Sequence, residues 1–240
     1  MMLERGFQGG NMIHKSDWAV SRKGRPIELY ASSDLKKSDH PLLMIGGVHG
    51  DEPEGVQLAK STLAFLTNDA EKIQLPWILI PCLNIDGFTE KKRTNGGGVD
   101  LNRNYPSSDW SPEFPKDRYF PGAKANSEPE IQALVKLIDE YDPRLIIHFH
   151  SWNPCVVYAG EPGRKDAERL GASSGYKVQD DIGYPTPGSL SQYAWGDLKI
   201  PVICIEEQEG MPLDQVWPHF ERGIREIFAD LSPRRDNLKN

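Results

Sequence analysis

The segment LLMIGGVHGDE, residues 42–52, constrains this chain more than any other. Its first four residues are apolar with no polar alternation, the pattern of a strand buried on both faces. Two glycines follow, which let the backbone turn sharply or another group approach closely. The segment then ends in His49, Asp51 and Glu52, and Pro53 can open a helix where its missing N–H costs nothing. In an open α/β sheet, ligands bind beyond the carboxyl ends of the strands. An imidazole and a carboxylate, both common Zn²⁺ ligands, therefore stand where such a fold keeps its site. The His-x-x-Glu spacing is weak by itself. It occurs by chance in solvated loops and lacks the second histidine of a helical His-Glu-x-x-His site. Any third ligand must come from far along the chain.

The rest of the chain supplies candidates. Residues 1–15 read as a loose lead-in, and residues 19–30 as a hairpin about Lys23-Gly24. A helix is expected over residues 53–66, with Val56, Leu58, Ala59, Leu63 and Leu66 on its apolar stripe. Three more apolar runs follow, at 77–83, 144–150 and 201–206. Helical patterns at 127–141, 165–174 and 214–231 lie among them. Ser127-Glu-Pro-Glu130 has the form of a capping box with Ser127 as N-cap. Residues 156–159 read as a short strand, 183–189 as a turn-rich loop and 191–195 as a short helix. Residues 84–126 form a long polar connection, of a length that is usually functional or unstructured. Buried strands alternating with helices imply α/β architecture with a parallel sheet, in one domain over residues 1–240 with a frayed tail at 232–240.

Composition narrows the function classes. The formal charge is −7 with no basic run, which argues against a nucleic-acid partner. No stretch approaches the roughly 20 apolar residues of a membrane span, so no membrane partner is expected. The first fifteen residues lack the apolar core of a signal peptide, so a cytoplasmic protein is expected. Cys82, Cys155 and Cys204 all fall in apolar runs, which fits reduced thiols.

Three apolar runs end in metal or proton chemistry: His49 with Glu52, then His150, then Glu206 with Glu207. Parallel strands would bring these ends together along one edge. His148 shares the parity of His150, so both point to one face of their strand. Taken in order, Val48-His-Gly-Asp-Glu52, Asn84-Ile-Asp-Gly87, Gly98-Val-Asp-Leu-Asn-Arg-Asn104, Ser127-Glu-Pro-Glu130, Phe149-His-Ser151 and the Glu206 strand carry a resemblance. Over roughly residues 42–210 the chain resembles the zinc carboxypeptidase family typified by carboxypeptidase A.

The resemblance implies a three-layer α/β/α sandwich on a mixed, largely parallel central sheet. It implies one Zn²⁺ per chain, held by His49, Glu52 and His150, with His148 behind the ligand or in the core. Glu206 would be the general base, taking a proton from the attacking water and passing it to the leaving amine. Arg93 would polarise the scissile carbonyl. Asn102 and Arg103 would hold the substrate's terminal carboxylate, although Arg103 could instead pair with Asp100. Tyr184 would close over the substrate from a loop shorter than that of carboxypeptidase A. Within the family, the length and the segment 183–189 resemble the branch that trims recycled cell-wall peptides. That implies a small peptide substrate, murein tripeptide, cut at its γ-D-glutamyl–meso-diaminopimelate bond. The loop 106–123, with Asp109, Arg118 and several aromatics, is where diaminopimelate would be read.

Other readings stay open: a generic metallocarboxypeptidase, or an N-acyl amino acid deacylase of the aspartoacylase and succinylglutamate desuccinylase kind. The deacylases share the ligands and the arginine motif. They usually carry a further C-terminal β domain, whereas nothing follows the closing helix here. A peptidoglycan-fragment binding module without catalysis is the non-enzymatic alternative, and the intact set of His49, Glu52, His150, Arg93 and Glu206 argues against it.

Overall fold

Each of the four apolar runs becomes a strand, because consecutive apolar side chains project to both faces and need cover on each. The computed structural model describes residues 12–32 and 35–232. Among the described residues, eight strands form one sheet. Its order is β1 (Met12–Val20), β2 (Pro26–Ser32), β4 (Trp77–Ile80), β3 (Leu42–Ile45), β5 (Leu145–Trp152), β8 (Val202–Gln208), β6 (Cys155–Ala159) and β7 (Lys177–Gln179). The centre, β4-β3-β5-β8, is parallel throughout. Antiparallel pairings, β1 with β2, β2 with β4 and β6 with β8, lie outside it, while β6 and β7 are parallel. The sheet is thus mixed and largely parallel, as expected.

Strand parity divides the core in two. Leu42, Met44, Leu145, Ile147, Phe149, Ile203 and Ile205 face α1 (Pro53–Asn68), α4 (Arg164–Ser174) and α5 (Leu213–Ala229). Leu43, Ile45, Ile146 and Val202 face α3 (Pro129–Tyr141) and Leu101, Tyr105, Leu190 and Ala194 of the connecting segments. His148 and His150 continue the parity of Ile146, and Cys204 and Glu206 that of Val202. The candidate site therefore lies on the α3 and loop face, at the carboxyl ends of the central strands.

Close backbone packing sets the distance from α1 to β5. A Cβ on Gly55 would stand 2.3 Å from the carbonyl oxygen of Phe149. The first turn of α1 is thereby pressed against the strand end that carries His150.

Several expectations are corrected. Residues 12–15 belong to β1 rather than to a lead-in, with Met12 opposite Ser32. Their side chains are largely exposed, so no apolar alternation marks the strand. Residues 1–11 lie outside the described residues, as do 233–240 of the expected tail. Ser127 is not the N-cap of α3. Glu128 is, without a side-chain cap, and the Ser127 hydroxyl donates to Glu128 Oε1 at 2.7 Å. Glu130, the other half of the expected box, is buried and accepts from the Arg22 N–H at 2.9 Å. The long connection 84–126 also contains a helix, α2 (Ile85–Glu90), capped by Asn84, whose side chain accepts from Gly87 N.

Candidate metal centre

The donors come from three elements. His49 sits in the loop leaving β3, whose turn is fastened by Leu83 N to Gly46 O (3.0 Å) and Asn84 N to Gly47 O (2.8 Å). Glu52 is the N-cap residue of α1. His150 lies near the end of β5, in register with Glu206 on β8. His49 Nδ1 is 2.7 Å from Glu52 Oε1 and 3.0 Å from His150 Nδ1, and His150 Nδ1 is 2.7 Å from Glu52 Oε2.

The outer nitrogens of both rings face other partners. His49 Nε2 is 3.1 Å from Asp100 Oδ1, and His150 Nε2 is 2.9 Å from His148 Nδ1. With each Nε2–H donated outward, both Nδ1 lone pairs turn inward on the Glu52 carboxylate. Two ring nitrogens that close cannot both donate to each other, whereas one cation at about 2.0–2.2 Å from each donor satisfies all three. Two imidazoles and one carboxylate suit Zn²⁺, and three protein ligands leave a coordination position open, the pattern of a catalytic zinc. The residues present fit the ion.

The electrostatics agree. Burial would raise the Glu52 carboxyl pKa, but His49 and His150 hold it well below the usual range. Burial and Arg93 press the His49 pKa down, and the Glu52 and Asp100 carboxylates overcome them and raise it. This corner attracts positive charge. His148 is different: burial, then its two histidine neighbours, hold it well below the usual range, so it stays neutral. His148, His150 and Cys204 form a second group of closely spaced donors. It uses the far nitrogen of His150 and includes no carboxylate, and burial pushes the Cys204 thiol well up. The first group is the better cation site.

Asp100, which the sequence offers only as a possible partner for Arg103, has a larger part in the site. It is fully buried and accepts from Arg93 Nε at 2.9 Å and from the Asn102 N–H at 3.0 Å, besides facing His49. Burial works against its ionisation, but Arg93 and His49 hold its pKa far below the usual range. Arg93 also approaches Glu52 Oε1 at 3.4 Å. One amide ties the arginine to the metal loop: Asn84 Nδ2 donates to Val48 O (3.3 Å) and to Arg93 O (3.0 Å). The signal available was Asp100's place inside the quoted segment 98–104.

An open cleft of about 1350 Å³ is lined by His49, Glu52, Arg93, Asn102, Arg103, His150, Tyr184 and Glu206, so all the expected site residues meet in one place. Burial raises the Glu206 carboxyl pKa above its ordinary value, with His150 opposing. Asn102 Oδ1 accepts from the Leu190 N–H, and Arg103 Nη1 donates to Asn102 O at 2.6 Å. Arg103 is thus anchored beside Asn102 while Asp100 takes Arg93. Tyr184 packs edge-on against Trp152 at 5.8 Å, both of them exposed. Asp109 is not part of the cleft wall. It accepts from Ser107 Oγ and the Gly188 N–H and joins two loops. Glu207 points to the opposite face of β8, toward Tyr176 and His219. The arrangement can hold a divalent cation, deprotonate water beside it and steady a carboxylate-bearing ligand.

Known proteins share this architecture. Murein peptide amidase A of Escherichia coli K12 is 31% identical over 176 residues, 68% of this chain and 69% of that protein. Its counterpart in Vibrio campbellii is 27% identical over 217 residues, 85% and 84% of the two chains. The crystal structure of murein-tripeptide amidase from Escherichia coli O157 superposes with a TM-score of 0.73 at 24% identity, covering 95% of each chain. Bovine thrombin-activatable fibrinolysis inhibitor does so with a TM-score of 0.74 at 18% identity, covering 91% and 88%. Residues 7–169 match the zinc carboxypeptidase family. With the donor set, the fold and that match in hand, the chain belongs to the zinc carboxypeptidase family and is a hydrolase.

Proposed function

We propose that this hydrolase cleaves the γ-D-glutamyl–meso-diaminopimelate bond of murein tripeptide, in the cytoplasm, as part of cell-wall peptide recycling. The observation that carries the reading is the register of His150 with Glu206 across β5 and β8. It sets a base beside the three-donor cluster, in a cleft that also holds Arg93, Asn102 and Arg103. The murein peptide amidases of Escherichia coli and Vibrio campbellii, similar over two thirds or more of the chain, support the substrate.

His49, Glu52 and His150 would hold Zn²⁺, which when bound would supply a Lewis acid and bring the pKa of water down to near neutral. Glu206, its own pKa raised by burial, takes the proton of the attacking water and returns it to the leaving amine. Arg93 donates to the carbonyl oxygen as charge develops there, held in direction by Asp100. The planar fork of Arg103, with Asn102 beside it, grips the carboxylate of the leaving residue. Tyr184 covers the bound residue at the cleft mouth.

The test is product analysis. Zinc-loaded protein incubated with L-Ala-γ-D-Glu-meso-diaminopimelate releases free diaminopimelate, detected by mass spectrometry. Turnover of ordinary C-terminal residues without that release marks a generic carboxypeptidase instead. Hydrolysis of acetyl-aspartate would favour the deacylases.

A further inference from the structure

Three guanidinium groups surround one aromatic ring in the cleft wall. The guanidinium carbons of Arg93, Arg118 and Arg103 lie 5.1, 5.5 and 5.8 Å from the ring centroid of Tyr119, all within cation–π range. Two of the three have partners that fix them. Arg93 donates to Asp100, and Arg103 is buried and bonded to Asn102 O. Arg118 is held more loosely: its side chain is 53% exposed, and its ion-pair partner, Asp51, stands 3.7 Å away. Asp51 is the neighbour of Glu52. Arg118 therefore leans toward the metal-ligand loop, whereas Arg103 is held on the side of Asn102 and Leu190. All three line the same cleft.

This order matters for a γ-linked substrate, so the inference rests on the proposed function. A γ-glutamyl amide leaves the α-carboxylate of that glutamate free, a few bonds from the scissile carbonyl and on its acyl side. An ordinary α-linked peptide has no anion there. Arg103 takes the leaving residue's carboxylate and Arg93 the carbonyl oxygen, which leaves the third guanidinium without a substrate partner. We infer that Arg118, steered by Tyr119 and Asp51, binds the free α-carboxylate of the γ-glutamyl residue and so makes this site select γ-linked over α-linked amides. A guanidinium fork suits a carboxylate, and its half exposure allows it to swing from Asp51 to the ligand.

The experiment compares two peptides with zinc-loaded enzyme: L-Ala-γ-D-Glu-meso-diaminopimelate and its analogue with the glutamyl α-carboxylate converted to carboxamide. Wild type is expected to favour the carboxylate form in kcat/KM by about tenfold, the scale of one partly exposed charge-assisted hydrogen bond. Arg118→Gln is expected to erase that preference, and Arg118→Lys to keep part of it. A wild-type enzyme indifferent to the two peptides, or a preference that survives in Arg118→Gln, overturns the assignment. So does a variant that instead loses discrimination between diaminopimelate and lysine as leaving residue. Failure of wild type to cleave either peptide overturns the murein substrate itself, and this inference falls with it.

Discussion

His49 Nδ1 and His150 Nδ1 lie 3.0 Å apart although 101 residues separate them in the chain. Two inward lone pairs at that distance need a shared cation. His150→Ala is therefore expected to lose stoichiometric zinc, measured by metal analysis after dialysis, together with activity. His148→Ala should keep the metal but weaken it by about 10–100-fold, because it removes only the group that orients His150. Zinc lost in His148→Ala but retained in His150→Ala would mean that the two histidines have exchanged roles.

Glu206 is buried and its pKa is raised by that burial. A base must be ionised to act, so kcat/KM should fall toward acid pH as Glu206 takes up a proton. The sign for stability is the opposite of that for activity. A carboxyl whose folded pKa is raised contributes stability below its unfolded pKa and loses it as pH rises through the folded value. Glu206→Gln should thus lower kcat by about 10²–10⁴-fold yet raise the melting temperature of the metal-free protein at neutral pH. The shift is about 2–4 °C for each kcal/mol relieved. Unchanged turnover would remove Glu206 from the mechanism.

Arg93 and Arg103 should separate kinetically. On the proposed mechanism, Arg93→Ala would remove a donor to charge that grows only in the transition state, so kcat should fall by about 10²–10³-fold. On the same mechanism, Arg103→Ala would remove ground-state binding of a carboxylate and should appear mainly in KM. Arg103→Lys should recover little, since the ammonium lacks the planar fork. Steady-state kinetics on the tripeptide distinguishes these outcomes.

Gly55 touches the β5 backbone where a Cβ would stand 2.3 Å from Phe149 O. Gly55→Ala should destabilise the fold by about 1–3 kcal/mol, the usual range for overpacking, measured by chemical denaturation. Because α1 carries Glu52 at its N-cap, zinc affinity should fall in the same variant.

The central architecture was legible because its signals are local. Leu42–Ile45, Trp77–Ile80, Leu145–Trp152 and Val202–Gln208 each begin with a short apolar stretch that reads as a buried strand, and the parallel register then puts His150 beside Glu206. What stayed hidden has little pattern of its own. β1 is an exposed edge strand with no alternation to read. α2 has six residues and no apolar stripe, and β7 has three residues. Ser127 has the right chemistry for a cap, but Glu128 starts the helix one residue later. Asp100 shows its importance only in three dimensions, where His49, Arg93 and Asn102 reach it from separate positions.

The amide of Asn84 bridges Val48 O and Arg93 O without touching the cleft. The loop of His49 and the loop of Arg93 are consequently mounted on one bracket, and any shift of either carries the other along. Variation at position 84 should therefore be felt as misalignment, a slower enzyme that still holds its ion, rather than as loss of either part.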